Sequence, residues 1–437
     1  MKLLYKDSAH ISDQEILIAS SAIADYITHI QQVIKTSTYD AAEASVNLPS
    51  DNALLQDVKN LVKEKVNNKL KYIIDIGIGG SNLGTKAIYD ALYGYIDVLQ
   101  PERYPKIIFA DTCNPVLLSA LITSINNDIK DPDEVLINAI SKSGGTTETV
   151  ANTEIILSAL VSKFPTIANR VVITTDEGSN LWKAAKEKGY ACLSIPHLVG
   201  GRYSILSAVG LFPLAAAGVD IEALRKGALT ARNENTQSEP LRNPALISAV
   251  LLYLHSKKGK TINDNFFFNA QMESMGKWYR QLMGESIGKE QDLKGNTVRA
   301  GITPTVSLGS TDLHSVAQLY LGGPKDKLTT FTWTLREPAD PAVPDAMVFP
   351  NLVEKISGKT ASSLLEAIRE GVKIAYAKQQ LPFMEIVLDE VNPENLGSYL
   401  QFKMLEMMYL GRLLNINTFD QPNVEMYKIE TKKILSK

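Results

Sequence analysis

The amino-acid sequence predicts an α/β protein with two domains, each a parallel sheet flanked by helices. Three observations support this. Short apolar runs alternate with amphipathic segments from residue 46 onward, as in a parallel sheet covered on both faces. The 437 residues exceed one compact domain of about 150 residues. The 45% hydrophobic and 21% charged content is globular, which excludes a disordered or low-complexity chain.

The N-terminal half predicts a helical segment followed by the first domain. Residues 1–45 are expected to be helical and peripheral, with one helix from Ile16 to Ile34. Residues 46–225 form the first predicted domain. Its last part, Ile205 to Ile221, is apolar but broken by a proline and polar residues, which indicates a buried core helix rather than a membrane span. Its predicted strands are KYIIDI, KIIFADT, EVLINAI, VVITTD and ACLSIP.

Residues 226–437 form the second predicted domain, which ends in a helical tail. Its predicted strands are TINDNFFFN, TPTVSLGS and KLTTFTWTL, and helices such as SMGKWYRQLM and SLLEAIREGVKIAYAKQ separate them. Length alone suggests about three units, whereas the placement of the elements gives two domains with helical ends. The final long helix, residues 395–414, carries an apolar stripe that we expect in the core: Leu396, Leu400, Met404, Met407 and Met408.

Charge and cysteine content restrict the partners. The net charge of −3 gives no general attraction to nucleic acid or acidic membranes, so any anion site must be local. Cys113 and Cys192 are too few for a disulfide framework and are expected to be buried in a reducing compartment. The N-terminus shows no secretory signal, which predicts a cytoplasmic location. The five histidines lack metal-ligand spacing, so we expect no metal.

Two glycine- and hydroxyl-rich segments follow predicted strands and begin helices. GIGGS spans residues 77–81, and SKSGGTT spans residues 141–147 with one lysine. Backbone N–H groups, hydroxyls and a helix N-terminus together bind anions well. The alternatives are an ordinary strand–helix turn for the first segment and a helix cap by Thr147 for the second. Two such loops on neighbouring strands favour phosphate binding, since ligands bind at the carboxyl ends of parallel strands.

Further candidates lie in four segments. Arg202 stands in GGRYS, where it can approach a ligand closely, or alternatively cap a carbonyl or pair on the surface. Glu273 in QMESMGK is a candidate general base, although Lys277 four residues on allows an ordinary exposed ion pair. His314 follows a predicted strand beside Asp312 and Gln318, and a lone histidine is more often structural than catalytic. The last segment, FDQPNVEMYK, could be a turn into a surface helix.

These six segments, in this order, resemble the phosphoglucose isomerase family, whose fold has two sugar-isomerase (SIS) domains. The resemblance implies interconversion of glucose 6-phosphate and fructose 6-phosphate without metal or cofactor, in a homodimer. It implies Glu273 as the base that moves a proton between C2 and C1, Arg202 stabilising the enediolate, and His314 and Lys428 assisting ring opening, with His314 coming from the partner subunit. It also implies the substrate-binding residues Gly80, Ser81, Ser141, Lys142, Ser143, Thr146, Gln271 and Gln421.

The sequence departs from the family pattern at five positions and leaves other functions open. The residues that differ from the usual family residues are Ser143, Gly145, Met275, Asn423 and Tyr427. Ser143 keeps a hydroxyl and Gly145 loses one, and none of the five removes a proposed catalytic group. One alternative is an enzyme of the same fold that acts on an aminated or mannose sugar phosphate, such as a bifunctional glucose/mannose-6-phosphate isomerase. The other is a non-catalytic SIS sugar-phosphate sensor, which would not need Glu273, Arg202, His314 and Lys428.

Overall fold

The computed structural model describes residues 1–350 and 352–437, which form two compact units. The first unit is residues 28–232, and the second unit is residues 1–27 together with residues 233–437. Residues 1–27 belong to the second unit because the first strand of the chain pairs there. The boundaries predicted after residues 45 and 225 therefore differ from this division, and the functional domain limits stay a prediction.

The chain begins with β1 (Lys2–Leu4), α1 (Asp13–Ser21) and α2 (Ala24–Thr36). The side chain of Ser12 caps α1 in a capping box with Glu15. The sequence predicted one helix across this region. The structure has two, because the backbone N–H of Ala22 turns back to the carbonyl oxygen of Ala19 and closes α1.

The first unit contains a five-stranded sheet in the order β3-β2-β4-β5-β6, and every pair is parallel. Strand β4 is buried along its whole length, which explains its uninterrupted apolar sequence. The elements in chain order are α3 (Asn52–Lys65), β2 (Tyr72–Ile76), α4 (Leu83–Leu92), β3 (Lys106–Phe109), α5 (Pro115–Asn127), β4 (Val135–Ile140), α6 (Thr147–Lys163), β5 (Val171–Thr175), α7 (Asn180–Glu187), β6 (Ala191–Ser194), α8 (Ala208–Ala216) and α9 (Ile221–Glu234).

One face of this sheet carries the main apolar core of the first unit. Ile74, Ile137 and Ile173, on three adjacent strands, pack with Leu121 and Ile156 of the covering helices. Because successive side chains of a strand alternate between faces, Asp75 and Asn138 point to the other face. The predicted core helix from Ile205 to Ile221 is real but shorter: α8 ends at Ala216, and Gly218 with φ 88° turns the chain.

The second unit contains a five-stranded sheet in the order β1-β12-β11-β7-β10. Its pairs are parallel except for antiparallel β1, and β8 and β9 form a separate hairpin. The elements in chain order are α10 (Pro244–Lys257), β7 (Ile262–Phe267), α11 (Glu273–Ile287), β8 (Lys289–Gln291), β9 (Thr297–Ala300), β10 (Thr303–Leu308), α12 (Ala317–Gly322), β11 (Lys327–Thr334), α13 (Ala361–Lys378), β12 (Phe383–Leu388), α14 (Pro393–Leu413) and α15 (Glu425–Leu435).

Burial confirms one sequence expectation and corrects another. The predicted apolar stripe of α14 lies in the core, since Leu396, Leu400 and the three methionines are 0% exposed. The expectation that both cysteines are buried is wrong: Cys113 is exposed in the loop after β3, and Cys192 is half-buried on the edge strand β6. No helix in the described part of the chain combines the length and the apolar character needed to cross a membrane.

Candidate functional site

The loop after β2 touches the turn that follows β6. Gly80 and Ser81 lie in a 3-10 turn, Gly79–Ser81, and Arg202 lies in another, Gly201–Tyr203. A Cβ atom on Gly80 would lie 2.2 Å from the carbonyl carbon of Gly201 and 2.6 Å from the backbone nitrogen of Arg202. The two backbones therefore meet at a point where only glycine fits. The structure brings the predicted residues Gly80, Ser81 and Arg202 together in the first unit.

Arg202 is a buried cation. Arg202 is 3% exposed, and its guanidinium carbon lies 5.6 Å from the centre of the Tyr203 ring. This burial excludes the alternative in which Arg202 pairs on the surface, whereas the alternative in which it caps a carbonyl stays open. A guanidinium in such a setting acts more strongly on a nearby negative charge than one in water would.

The loop after β4 is arranged around a hydroxyl pair. The Oγ atom of Ser141 lies 2.9 Å from Oγ1 of Thr146. Helix α6 begins at Thr147, and within the described chain its N-cap residue Thr146 makes no side-chain cap bond. The alternative in which Thr147 caps this helix is not observed. The positive end of a 17-residue helix thus lies beside two hydroxyls.

Lys142 of the same loop contacts the segments that follow β5 and β6. Its Nζ donates to the carbonyl oxygen of His197 at 2.6 Å. Burial lowers the pKa of the Lys142 ammonium, and the nearby Asp176 carboxylate opposes that lowering. The hydroxyl of Thr175 at the end of β5 donates to the carbonyl oxygen of Ser141 at 2.6 Å. These contacts fix the loop backbone from the adjacent strand.

The first unit therefore has a candidate anion site at the carboxyl edge of its sheet. A Cβ atom on Gly77 would lie 3.3 Å from the carbonyl oxygen of Ile140, so the loops after β2 and β4 are direct neighbours. Hydroxyls, one lysine and a helix N-terminus are the groups that bind a phosphate monoester. The loop residues that provide them are Ser81, Ser141, Lys142, Ser143 and Thr146.

In the second unit, Gln271 and Glu273 follow β7. Gln271 lies in the 3-10 turn Ala270–Met272, and Glu273 is the first residue of α11. The Oε1 atom of Glu273 lies 2.7 Å from Nζ of Lys277, and these side chains are 47% and 44% exposed. The structure thus shows the ordinary surface ion pair that the spacing allowed.

His314 lies after β10 in the 3-10 turn Thr311–His314, and its side chain is exposed. Asp312 organises this loop. Its carboxylate accepts from the backbone N–H of Leu308 at 2.8 Å and from the hydroxyl of Ser315 at 2.7 Å. The loop backbone is thus fixed, while the imidazole faces outward.

The C-terminal tail packs on the β8–β9 hairpin. Gln421 precedes the 3-10 turn Pro422–Val424, and Lys428 of α15 pairs with Glu425 at 2.7 Å. Nζ of Lys289, the first residue of β8, lies 3.0 Å from Oδ1 of Asp420 and also donates to the Asp420 carbonyl oxygen. This fixes the chain directly before Gln421.

Helix α11 separates the predicted base from this tail. It runs antiparallel to β10: a Cβ atom on Gly276 would meet Val306, and one on Gly301 would meet Gly288. Residues 273 and 285 are twelve residues apart, about 18 Å at ~1.5 Å per residue. Within the second unit, Glu273 and the His314 loop therefore lie at the same edge of the sheet, where β7 and β10 end. The tail with Gln421 lies near the other end of α11.

A carboxylate at that other end was missed by the sequence prediction. The pattern Glu-Ser-x-Gly-Lys occurs twice, at residues 273–277 and again at residues 285–289. Glu285 is half-buried in the last turn of α11 and accepts from Nε2 of Gln281 at 3.1 Å. The lysine of this second copy is Lys289, which holds Asp420. The repeated pattern was the signal that could have identified Glu285.

Metal ligation finds no support among residues 1–350 and 352–437. Nowhere in these ranges do three or more His, Cys, Asp or Glu side chains group closely enough to hold a metal ion.

Comparison with known proteins gives consistent results. The family model described as phosphoglucose isomerase matches residues 52–437. A glucose-6-phosphate isomerase of Carboxydothermus hydrogenoformans is 34% identical over 88% of this chain and 82% of its own length. Another, of Methanocaldococcus jannaschii, is 34% identical over 90% of this chain and 92% of its own.

Solved structures agree in fold. A hypothetical protein of Thermus thermophilus superimposes with a TM-score of 0.85 at 29% identity, covering 100% of both chains. A glucose-6-phosphate isomerase of Chlamydia trachomatis gives 0.83 at 22% identity, covering 99% of this chain and 88% of its own, and shows the fold alone. The match over residues 52–437 covers most of the sequence, and the chain belongs to the phosphoglucose isomerase family.

Proposed function

We propose that the chain interconverts glucose 6-phosphate and fructose 6-phosphate by aldose–ketose isomerisation through an enediolate. Membership of the phosphoglucose isomerase family supports sugar-phosphate isomerisation, and two of the relatives above are named glucose-6-phosphate isomerase. The observation that carries the proposal is the anion site of the first unit, with the Ser141–Thr146 hydroxyl pair at the start of α6. The reaction would serve glycolysis and gluconeogenesis in the cytoplasm and would need no metal or cofactor.

The phosphate would be bound by the two neighbouring loops of the first unit. Their contribution is binding energy remote from the reacting carbons, which orients the sugar. Lys142 would supply the charge. Gln421 would contact the sugar if Glu285 is the base, and Gln271, at the opposite end of α11, would contact it if Glu273 is the base. The residues proposed for the phosphate are Gly80, Ser81, Ser141, Lys142, Ser143 and Thr146.

The central step moves one proton between adjacent carbons. A carboxylate removes it from C2 of the aldose, and negative charge develops on O1 of the enediolate. The same carboxylate then returns the proton to C1 while the hydroxyl proton passes from O2 to O1, which leaves the carbonyl at C2. Glu273 is the base that the sequence predicts. Glu285 is a second candidate, supported by its position at the end of α11 where Lys289 holds the tail. We propose one of these two as the base, and the geometry of the second unit favours Glu285.

Charged groups would assist the other steps. Arg202, as a buried cation, would stabilise the developing oxyanion and could lower the barrier by a few kcal/mol. Ring opening needs an acid and a base at the ring oxygen and the anomeric hydroxyl, which we assign to His314 and Lys428.

His314 would come from the partner subunit of a homodimer. Its loop follows the carboxyl end of β10, whereas Glu285 and the tail lie near the other end. Strand β10 has six residues, Thr303–Leu308, and so is about 20 Å long. His314 is therefore distant from Gln421 of its own chain. Because His314 is exposed, it can instead contact the site of a second copy of the chain.

Parallel Glu273→Gln and Glu285→Gln variants test the base. We expect one of them to lose turnover by about a thousandfold or more while still binding fructose 6-phosphate, because glutamine keeps the shape and loses the basic oxygen. The other variant is the matched control on the same helix. Full turnover by both variants would exclude both carboxylates as the base.

A substrate panel separates the other functions. Glucose, mannose and glucosamine 6-phosphates are offered to the wild-type chain in parallel. Turnover of glucose 6-phosphate alone supports the proposal, and additional turnover of mannose 6-phosphate identifies a bifunctional isomerase. Binding without turnover of any of them identifies a sugar-phosphate sensor.

A further inference from the structure

We propose that Lys289 is a positioning residue that holds Gln421 in place through Asp420. This inference rests on the proposed function, because it assigns Gln421 to the sugar site. Lys289 touches the tail and not the reacting atoms.

The burial of Lys289 requires an explanation. Its side chain is 6% exposed, whereas that of Asp420 is 50% exposed. Removing an ammonium from water is costly unless hydrogen bonds compensate for the loss of hydration. Asp420 provides two acceptors, its carbonyl oxygen and its carboxylate. The contact with the carbonyl oxygen is the important one, because it fixes the peptide unit that leads into Gln421.

Neighbouring contacts extend this attachment along the tail. Nδ2 of Asn423 donates to Oε2 of Glu290 at 3.1 Å, and the backbone N–H of Leu293 donates to the carbonyl oxygen of Asn415 at 2.9 Å. The segment 415–423 is thereby fastened to the hairpin on both sides of Gln421. Gln421, Pro422 and Asn423 are exposed, so polar contacts rather than core packing define their place.

A cavity of about 410 Å³ lies between the hairpin and the tail. Lys289 and Asp420 both line it, together with Met426 of α15. A small cation can therefore reach the position of the lysine ammonium when the side chain is shortened. This allows chemical rescue, in which an added amine takes the place of the missing ammonium and bonds with Asp420.

The test compares Lys289→Ala with Lys294→Ala, an exposed lysine in the turn of the same hairpin. We expect Lys289→Ala to lower kcat/KM by about tenfold or more, because a misplaced sugar contact weakens transition-state binding. Added n-butylammonium should restore a saturable part of that loss, and Lys289→Arg should stay within about threefold of wild type because guanidinium offers donors to both oxygens. Lys294→Ala should have the kcat/KM of wild type, and added n-butylammonium should not change it.

Hydrogen exchange of residues 418–428 gives an independent measurement. Lys289→Ala should speed exchange there and leave α11 protected. Unchanged kcat/KM in Lys289→Ala, or a loss that n-butylammonium cannot reverse while tail exchange stays as in wild type, would overturn the proposal. If the wild-type chain itself lacks isomerase activity, the proposed function fails, and the exchange comparison still decides whether Lys289 holds the tail.

Discussion

Lys403 and Glu406 form a fully buried ion pair on α14, with Nζ and Oε2 2.7 Å apart and both side chains 0% exposed. The other oxygen, Oε1 of Glu406, accepts from the hydroxyl of Tyr279 on α11 at 2.7 Å. Nζ of Lys403 lies 4.4 Å from the centre of the same tyrosine ring. This cluster fastens α11, the helix that carries both candidate bases, to the longest helix of the second unit.

Lys403→Met should destabilise the chain strongly. It leaves the Glu406 carboxylate buried without its cation, which typically costs about 3–5 kcal/mol. Urea unfolding of the second unit measures the loss. The double variant Lys403→Met with Glu406→Gln keeps an acceptor for Tyr279 and removes the charge, so it should recover most of that stability. A double variant no more stable than the single one would contradict this account.

Asp75→Asn should stabilise the chain increasingly as the pH rises. Asp75 is 0% exposed on β2, and burial raises the pKa of its carboxyl to about 8, although a bond from Nδ2 of Asn138 at 2.7 Å opposes this. The folded chain then keeps a proton that the unfolded chain releases near pH 4. Wild-type stability therefore falls between about pH 4 and 8, by up to ~1.4 kcal/mol per pH unit.

The asparagine variant has no such proton, so its advantage over wild type should grow from pH 5 to pH 8. Urea unfolding of wild type and of Asp75→Asn at pH 5 and at pH 8 measures this difference in stability. A constant difference between the two pH values would show that Asp75 titrates normally.

The strands of the first sheet could be predicted from the sequence because each one is recognisable from its own consecutive residues. Each strand, such as Val135–Ile140, is an apolar run that needs no distant partner to be recognised. Strand β1 was missed because three residues become a strand only by pairing with β12, where Lys2 lies opposite Val387. Strand β12 itself was missed, and Glu385 interrupts its apolar run.

The same distinction applies to the site. The hydroxyls and glycines of the two proposed phosphate loops are consecutive in sequence, so the composition of each loop was enough to propose phosphate binding. The choice between Glu273 and Glu285 could not be made in this way, because both stand in the same five-residue pattern. What distinguishes them is the direction of α11 against β10 and the bond from Lys289 to Asp420, and both depend on contacts distant in sequence.

Gly80→Ala should damage the first unit, whereas Gly201→Ala should be tolerated. The added Cβ on Gly80 would lie 2.2 Å from backbone, while one on Gly201 would find its nearest atom 3.6 Å away. Forcing the two turns apart should cost about 1–3 kcal/mol and weaken phosphate binding. Thermal unfolding and the KM for glucose 6-phosphate measure both effects. Equal behaviour of the two variants would refute the close backbone approach.

Thr146→Val should raise the KM for glucose 6-phosphate by about tenfold with little change in kcat, because a lost phosphate contact weakens ground state and transition state alike. Valine keeps the shape of threonine and removes the hydroxyl that bonds with Ser141. Thr153→Val, about two turns further along α6, is the matched control, since its hydroxyl donates to the carbonyl oxygen of Thr149 within the helix. The inhibition constant of inorganic phosphate should rise in parallel with KM. A KM that rises while phosphate inhibition stays unchanged would mean that Thr146 contacts the sugar and not the phosphate.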